Sequence, residues 1–266
     1  MEVRKSKGSP ERLTALKEAK KNSHLKKHWE AARYCDLVEG LTLRDEKLLS
    51  HLYFGTPYTG FRSYLESEFG RAPALPNEYF WQPRGAKGVG VTFDLFKGTL
   101  DNGKASLKVG QTLHRLLVCL CSDFYRPLRI ATIHSEIFPN AAYHPTSSPT
   151  RVHQVIKRLR QWVESEQVPL LLESEVGVYQ LVGTGPCRIR ISDNNGSKDQ
   201  AQLVSPQIQD CFGDKPFSSA EVATAFKLSP RSARRVLSKL VSTGLLESFG
   251  SGTSTRYCKP RLKAAA

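Results

Sequence analysis

The chain runs to 266 residues, enough for two or three small domains, and its longest apolar run, residues 116–121, falls far short of the roughly 20 residues a membrane span needs. Thirty-nine Lys and Arg against 25 Asp and Glu give a net charge of +14, half of it carried after residue 182, which points to a polyanionic partner. The opening Met-Glu-Val-Arg-Lys and the charges that continue to Lys27 do not read as a secretory leader, so a cytoplasmic protein with no membrane partner is expected.

Residues 1–85 read as helix-rich. Leu13, Leu16, Leu25, Trp29, Ala32 and Tyr34 form an imperfect apolar stripe among many lysines. Residues 45–69 add a stretch dense in Tyr and Phe, whose rings suit a small core or a homodimer surface better than stacking on bases. The region is too short, and lacks the acidic cluster and parallel strands, for a doubly wound phospho-receiver domain. Residues 71–87, rich in Pro and Gly, read as a linker.

Residues 86–182 carry a second pattern. Strand-like alternation runs from Val89 to Val109 with a tight turn at Asp101-Asn102-Gly103, and the G-A-K-G-V-G run at 85–90 lacks the order of a dinucleotide fingerprint. Helices are expected over 111–123, 130–138 and, after a linker at 140–149, over 150–165. On the third, Val152, Val155, Ile156, Leu159 and Val163 share one stripe, leaving Arg151, His153, Gln154, Lys157, Arg158 and Arg160 off it. The run V-P-L-L-L-E-S-E-V-G-V-Y-Q-L-V at 168–182 closes as a hairpin.

This order, with L-K-V-G-Q-T-L-H-R-L-L at 107–117, V-I-K-R-L-R at 155–160 and V-G-V-Y-Q-L at 176–181, resembles the OmpR/PhoB-type effector domain of response regulators. The resemblance implies a winged-helix fold in which Arg151, Gln154, Lys157, Arg158 and Arg160 occupy DNA-contacting positions of the recognition helix. The wing departs from the family: Glu173 and Glu175 stand where a basic residue is usual, and two carboxylates there repel phosphate. Weak DNA contact, or contact with RNA polymerase or another protein, is therefore expected of this hairpin.

Residues 183–202, which include S-D-N-N-G-S-K at 192–198, read as a linker, and 203–266 as a last domain. Ser218 or Ser219 caps a helix over Val222, Ala223 and Phe226, Ser229-Pro230 opens a second in cap-then-Pro order, and Gly244 ends it. In the second helix Ala233, Val236, Leu237, Leu240 and Val241 repeat at helical spacing, which leaves Arg231, Ser232, Arg234, Arg235, Ser238 and Lys239 outside the stripe. Two strand-like runs, 245–249 and 253–257, flank Gly250-Ser251-Gly252, and Arg256 is expected beside the helix, in reach of phosphate or the minor groove. The segment resembles the winged-helix modules of bacterial transcription factors, and its closing G-S-G-T-S-T-R-Y is similar to wings in several of those families.

The expected fold class is α+β, a helical N-terminal region followed by two winged-helix domains. The expected function is sequence-specific binding of double-stranded DNA by a bacterial, cytoplasmic transcriptional regulator without a receiver domain. The alternatives are a plasmid-type replication initiator, which also uses tandem winged helices, and a scaffold whose winged helix binds protein. No nucleophile–base pair or phosphate-cradling loop supports an enzyme or a cofactor. The six cysteines are scattered, and Cys119-x-Cys121 in an apolar run reads as buried thiol rather than as a metal site.

Overall fold

The structure, a computed structural model, describes residues 10–69, 78–192, 200–226 and 228–260. It is mixed α+β. Among the described residues, four helices come first: α1 (Pro10–Leu25), α2 (Trp29–Leu43), α3 (Glu46–Phe54) and α4 (Thr59–Phe69). The Asp45 carboxylate accepts from the Lys47 and Leu48 N–H groups and so starts α3, after Arg44, at φ 52°, has closed α2. The expected stripe is only partly covered. Ala32 is buried and Trp29 half-buried, whereas Leu25 and Tyr34 are exposed. The aromatic stretch does become core, through Tyr53, Phe54 and their neighbours Leu52 and Leu65.

The middle of the chain forms β1 (Glu78–Trp81), β2 (Val91–Asp94), β3 (Thr99–Leu100), α5 (Thr112–Leu120), β4 (Leu128–Arg129), α6 (Ile130–Ile137), α7 (Ser148–Ser165), β5 (Leu170–Glu175), β6 (Val178–Gly183) and β7 (Cys187–Ser192). One sheet has the order β1-β7-β2-β3, with β7 antiparallel to β1 and parallel to β2, and a second has the order β4-β6-β5. Helix α5 stops short of the expected 123 because the Asp123 carboxylate accepts from the Tyr125 and Arg126 N–H groups, an Asx turn that competes with another helical turn. Helix α7 starts two residues early, with Pro149 in its first turn.

Strands β1 and β7 lie in the stretches read as linkers, 71–87 and 183–202. The physical reason is alternation: Cys187, Ile189 and Ile191 are buried and Arg188, Arg190 and Ser192 half-buried, so one face of a six-residue strand fills the core. Residues 71–77 and 193–199 of those stretches lie outside the described residues.

One hydrophobic cluster runs from Ala32 to Ile191, so the N-terminal helices and the central elements share a core. Trp81 stacks on Phe124 at 4.4 Å between ring centroids. The Arg33 guanidinium meets the Asp123 carboxylate at 2.7 Å, both buried, and the Tyr125 hydroxyl donates to Asp36 at 2.7 Å.

The last part comprises α8 (Gln200–Phe212), α9 (Ser219–Ala225), α10 (Pro230–Ser242), β8 (Glu247–Phe249) and β9 (Arg256–Cys258). Its own cluster joins Ile208, Phe217, Val222, Ala233, Val236, Leu237, Leu240 and Leu246, with Val109 of the central part packed against it and the Gln207 amide donating to the Phe96 carbonyl. Ser218, not Ser219, is the α9 cap, in a reciprocal box with Glu221. The strand expected over 253–257 begins only at Arg256, because Gly252–Ser254 wind into a 3₁₀ turn. Gly250, at φ 82°, is required there: a Cβ would stand 2.8 Å from the Ser254 carbonyl oxygen. Helix α8 covers residues to which the sequence reading assigns no element.

Candidate nucleic-acid interface

Helix α10 is positioned by its caps and by its stripe. The Ser229 hydroxyl accepts from the Ser232 N–H at 3.1 Å, Pro230 sets the first turn, and Ala233, Val236, Leu237 and Leu240 are buried with Val241 half-buried behind them. That packing turns Arg231, Arg234, Arg235, Ser238 and Lys239 to the exposed side. Ser232 differs from the expectation. It is half-buried, and its hydroxyl accepts from Ser229 at 2.9 Å, so it belongs to the cap before it belongs to any surface.

Arg256 on β9 pairs across the hairpin with Phe249 and is exposed, but its guanidinium sits 3.2 Å from the Glu221 carboxylate. Contacts from the Ser218 hydroxyl and N–H, then the charge of Arg256, hold the Glu221 carboxyl below the usual carboxylate range. The wing arginine is thus shared with α9. The backbone of Phe217 pairs with that of Tyr257, which ties the hairpin to the entrance of α9.

Helix α7 buries all five expected stripe residues, Val152, Val155, Ile156, Leu159 and Val163, and leaves Arg151, His153, Gln154, Lys157, Arg158 and Arg160 exposed. Two of the expected contact residues already hold something. Arg151 lies 4.3 Å over the Phe138 ring, and Arg160 donates to the Leu172 carbonyl at 3.2 and 2.9 Å and to the Ser174 hydroxyl at 3.2 Å. Arg160 therefore fixes β5 against α7. Gln154, Lys157 and Arg158 form the outward patch.

The two hairpin carboxylates are not bare. Glu175 accepts from the Lys27 ammonium at 2.6 Å, and Glu173 accepts from the Arg84 guanidinium at 2.6 Å and from the Gln180 amide. Lys27 holds the Glu175 carboxyl below its ordinary range, with Arg84 adding to the effect. The repulsion expected from sequence is correspondingly offset. Sequence reasoning missed both cations, and no local signal marks them, since Lys27 stands 148 residues from Glu175 and Arg84 stands 89 from Glu173.

Among the described residues no three His, Cys, Asp or Glu side chains gather as a metal site, and no helix is long and apolar enough to cross a membrane. No family model, no curated protein and no solved structure matches the chain.

Proposed function

We propose that the chain is a sequence-specific double-stranded DNA-binding protein, a bacterial, cytoplasmic transcriptional regulator without a receiver domain, which reads DNA with two winged-helix modules. One observation carries this reading: α7 and α10 each bury their apolar stripe within their own part of the chain and turn a basic face outward, and each is followed by a two-stranded hairpin. The orders α5-β4-α6-α7-β5-β6 and α8-α9-α10-β8-β9 support a winged helix in both places. Such a helix enters the major groove, with Arg on base edges and Lys or Ser on phosphates. Two readers on one chain raise each other's effective concentration when both half-sites are present.

The test is fluorescence anisotropy on duplex DNA across a salt series. If roughly 6–10 phosphates are contacted, affinity should fall by about 10³–10⁵ between 50 and 200 mM salt. Absence of binding to any duplex at low salt would remove the proposal.

A second reading, in which the central hairpin binds RNA polymerase or another protein, is favoured by apolar exposure on that hairpin. Val176 at its tip is 97% exposed and Leu171 47%, while Arg160, Glu173 and Glu175 are engaged within the chain. A Leu171→Ser/Val176→Asn protein would then keep its DNA affinity and lose the partner.

A further inference from the structure

The hairpin strands β5 and β6 present Tyr179, Leu172 and Leu181 to the core, and by alternation their opposite face carries Glu173, Glu175, Val178 and Gln180. That second face is only partly covered. It lines a cleft of about 1020 Å³ whose other walls come from the α1–α2 junction, from Arg84, and from the segment that leads through β4 into α6. The volume is at the upper end of the roughly 300–1,000 Å³ typical of small-ligand sites.

The charge in the cleft is specific. Lys27, Arg84, Arg126 and Arg129 all line it, against Glu173 and Glu175. Each carboxylate is met by one cation, Glu175 by Lys27 and Glu173 by Arg84, which leaves an excess of two positive charges. Those pairs leave donors over. A guanidinium has five N–H groups and an ammonium three, so Arg84 and Lys27 are held in place by the carboxylates while retaining N–H groups for a ligand. Arg126 stands 4.0 Å from Asp123, whose other oxygen is bound by Arg33, and Arg129 is exposed at the start of α6. Trp29, half-buried against the core, supplies an apolar wall.

We propose that this cleft binds a small phosphate-bearing anion, gripped by Arg126 and Arg129 from one side and by Lys27 and Arg84 from the other. A phosphate monoester carries about −1.5 to −2 charges near neutral pH, which matches the excess, and Arg forks suit its oxygens. The site joins the N-terminal helices to the central hairpin, so occupancy tightens a contact that two exposed ion pairs now make. This inference does not depend on DNA binding.

The test uses the full chain and isothermal titration with three probes: inorganic pyrophosphate, adenosine 5′-monophosphate, and adenosine as the phosphate-free control. Saturable binding of either phosphate probe with none of adenosine is the expected result. Pyrophosphate alone assigns the site to inorganic phosphates, and the monophosphate alone assigns a role to Trp29. Arg126→Ala/Arg129→Ala should weaken binding by roughly 10- to 100-fold with an unchanged melting temperature. Glu175→Gln should strengthen it, a gain that a merely structural role for Glu175 would not produce. The proposal is overturned by no saturable binding of either phosphate probe, by equal binding of adenosine, by unchanged affinity in the double variant, or by weakening in Glu175→Gln. Stoichiometric displacement of the probe by a duplex oligonucleotide would also overturn it, by giving the cleft to nucleic acid.

Discussion

Arginines of similar exposure are not equivalent, because what a guanidinium can recognise depends on what it already holds. Arg160 is fastened to the Leu172 carbonyl and Arg151 to the Phe138 ring, whereas Arg234 stands in the middle of the outward face of α10, away from the Val236/Leu237/Leu240 stripe. Arg234→Ala should cost about 1–3 kcal/mol on the preferred DNA site and less on random duplex, while Lys239→Ala should weaken both nearly alike. Anisotropy on the two duplexes, with circular dichroism to confirm folding, decides it; unchanged site preference in a folded Arg234→Ala protein would refute the assignment. Arg33 is the opposite case, a structural arginine. Burial alone would lower its proton affinity, but the adjacent Asp123 charge and hydrogen bond outweigh that and raise it. With side chains 3% and 0% exposed, truncating one partner strands the other, so Asp123→Ala should destabilise the protein by about 3–5 kcal/mol in urea unfolding.

At the scale of elements, β7 decides where the central part ends. It lies between β1 and β2 and hydrogen-bonds to both, so a fragment cut at residue 182 loses the strand that joins the sheet. A fragment 86–182 also lacks Leu52, Phe54, Leu65 and Trp81 from the shared core. Circular dichroism and thermal melting should therefore find 86–182 unfolded and 10–192 cooperatively folded. A cooperative transition in the shorter piece would show that the shared core is dispensable.

For the whole molecule, acid should act first through histidines. Burial pushes His51 down to about 4, and burial also lowers His114, whose Nε2 bonds the Leu95 carbonyl. In the unfolded chain these rings take a proton near pH 6.5, while the folded protein resists until lower pH, so the unfolded state binds more protons in between. Stability is full above about pH 6.5 and declines toward pH 4, by at most roughly 1.4 kcal/mol per pH unit for each ring. The depressed carboxyls of Glu175 and Glu221 act in the same direction, but only below the ordinary carboxylate range. Urea midpoints measured from pH 7.5 to 4.5 should fall, and His51→Gln should flatten the upper part of that fall; a midpoint independent of pH in this window would contradict the account.

Sequence alone determined the two amphipathic helices and their outward basic residues, from Val152–Val163 on one and Ala233–Leu240 on the other, and the Ser229-Pro230 cap of the second. These are properties of a few consecutive turns, where period and capping chemistry act over short range. It also placed the tight glycines of the last hairpin. Only the tertiary structure decided that β7 belongs inside the first sheet, that Asp123 receives Arg33 from α2 while Asp36 receives the Tyr125 hydroxyl from the central part, and that Glu173 and Glu175 face Arg84 and Lys27. The reason is range. The alternation over 187–192 suits a strand, but a six-residue strand has no stability without its neighbours and its pairing is set by packing, and an ion pair between residues 148 positions apart exists only once packing has brought their elements together.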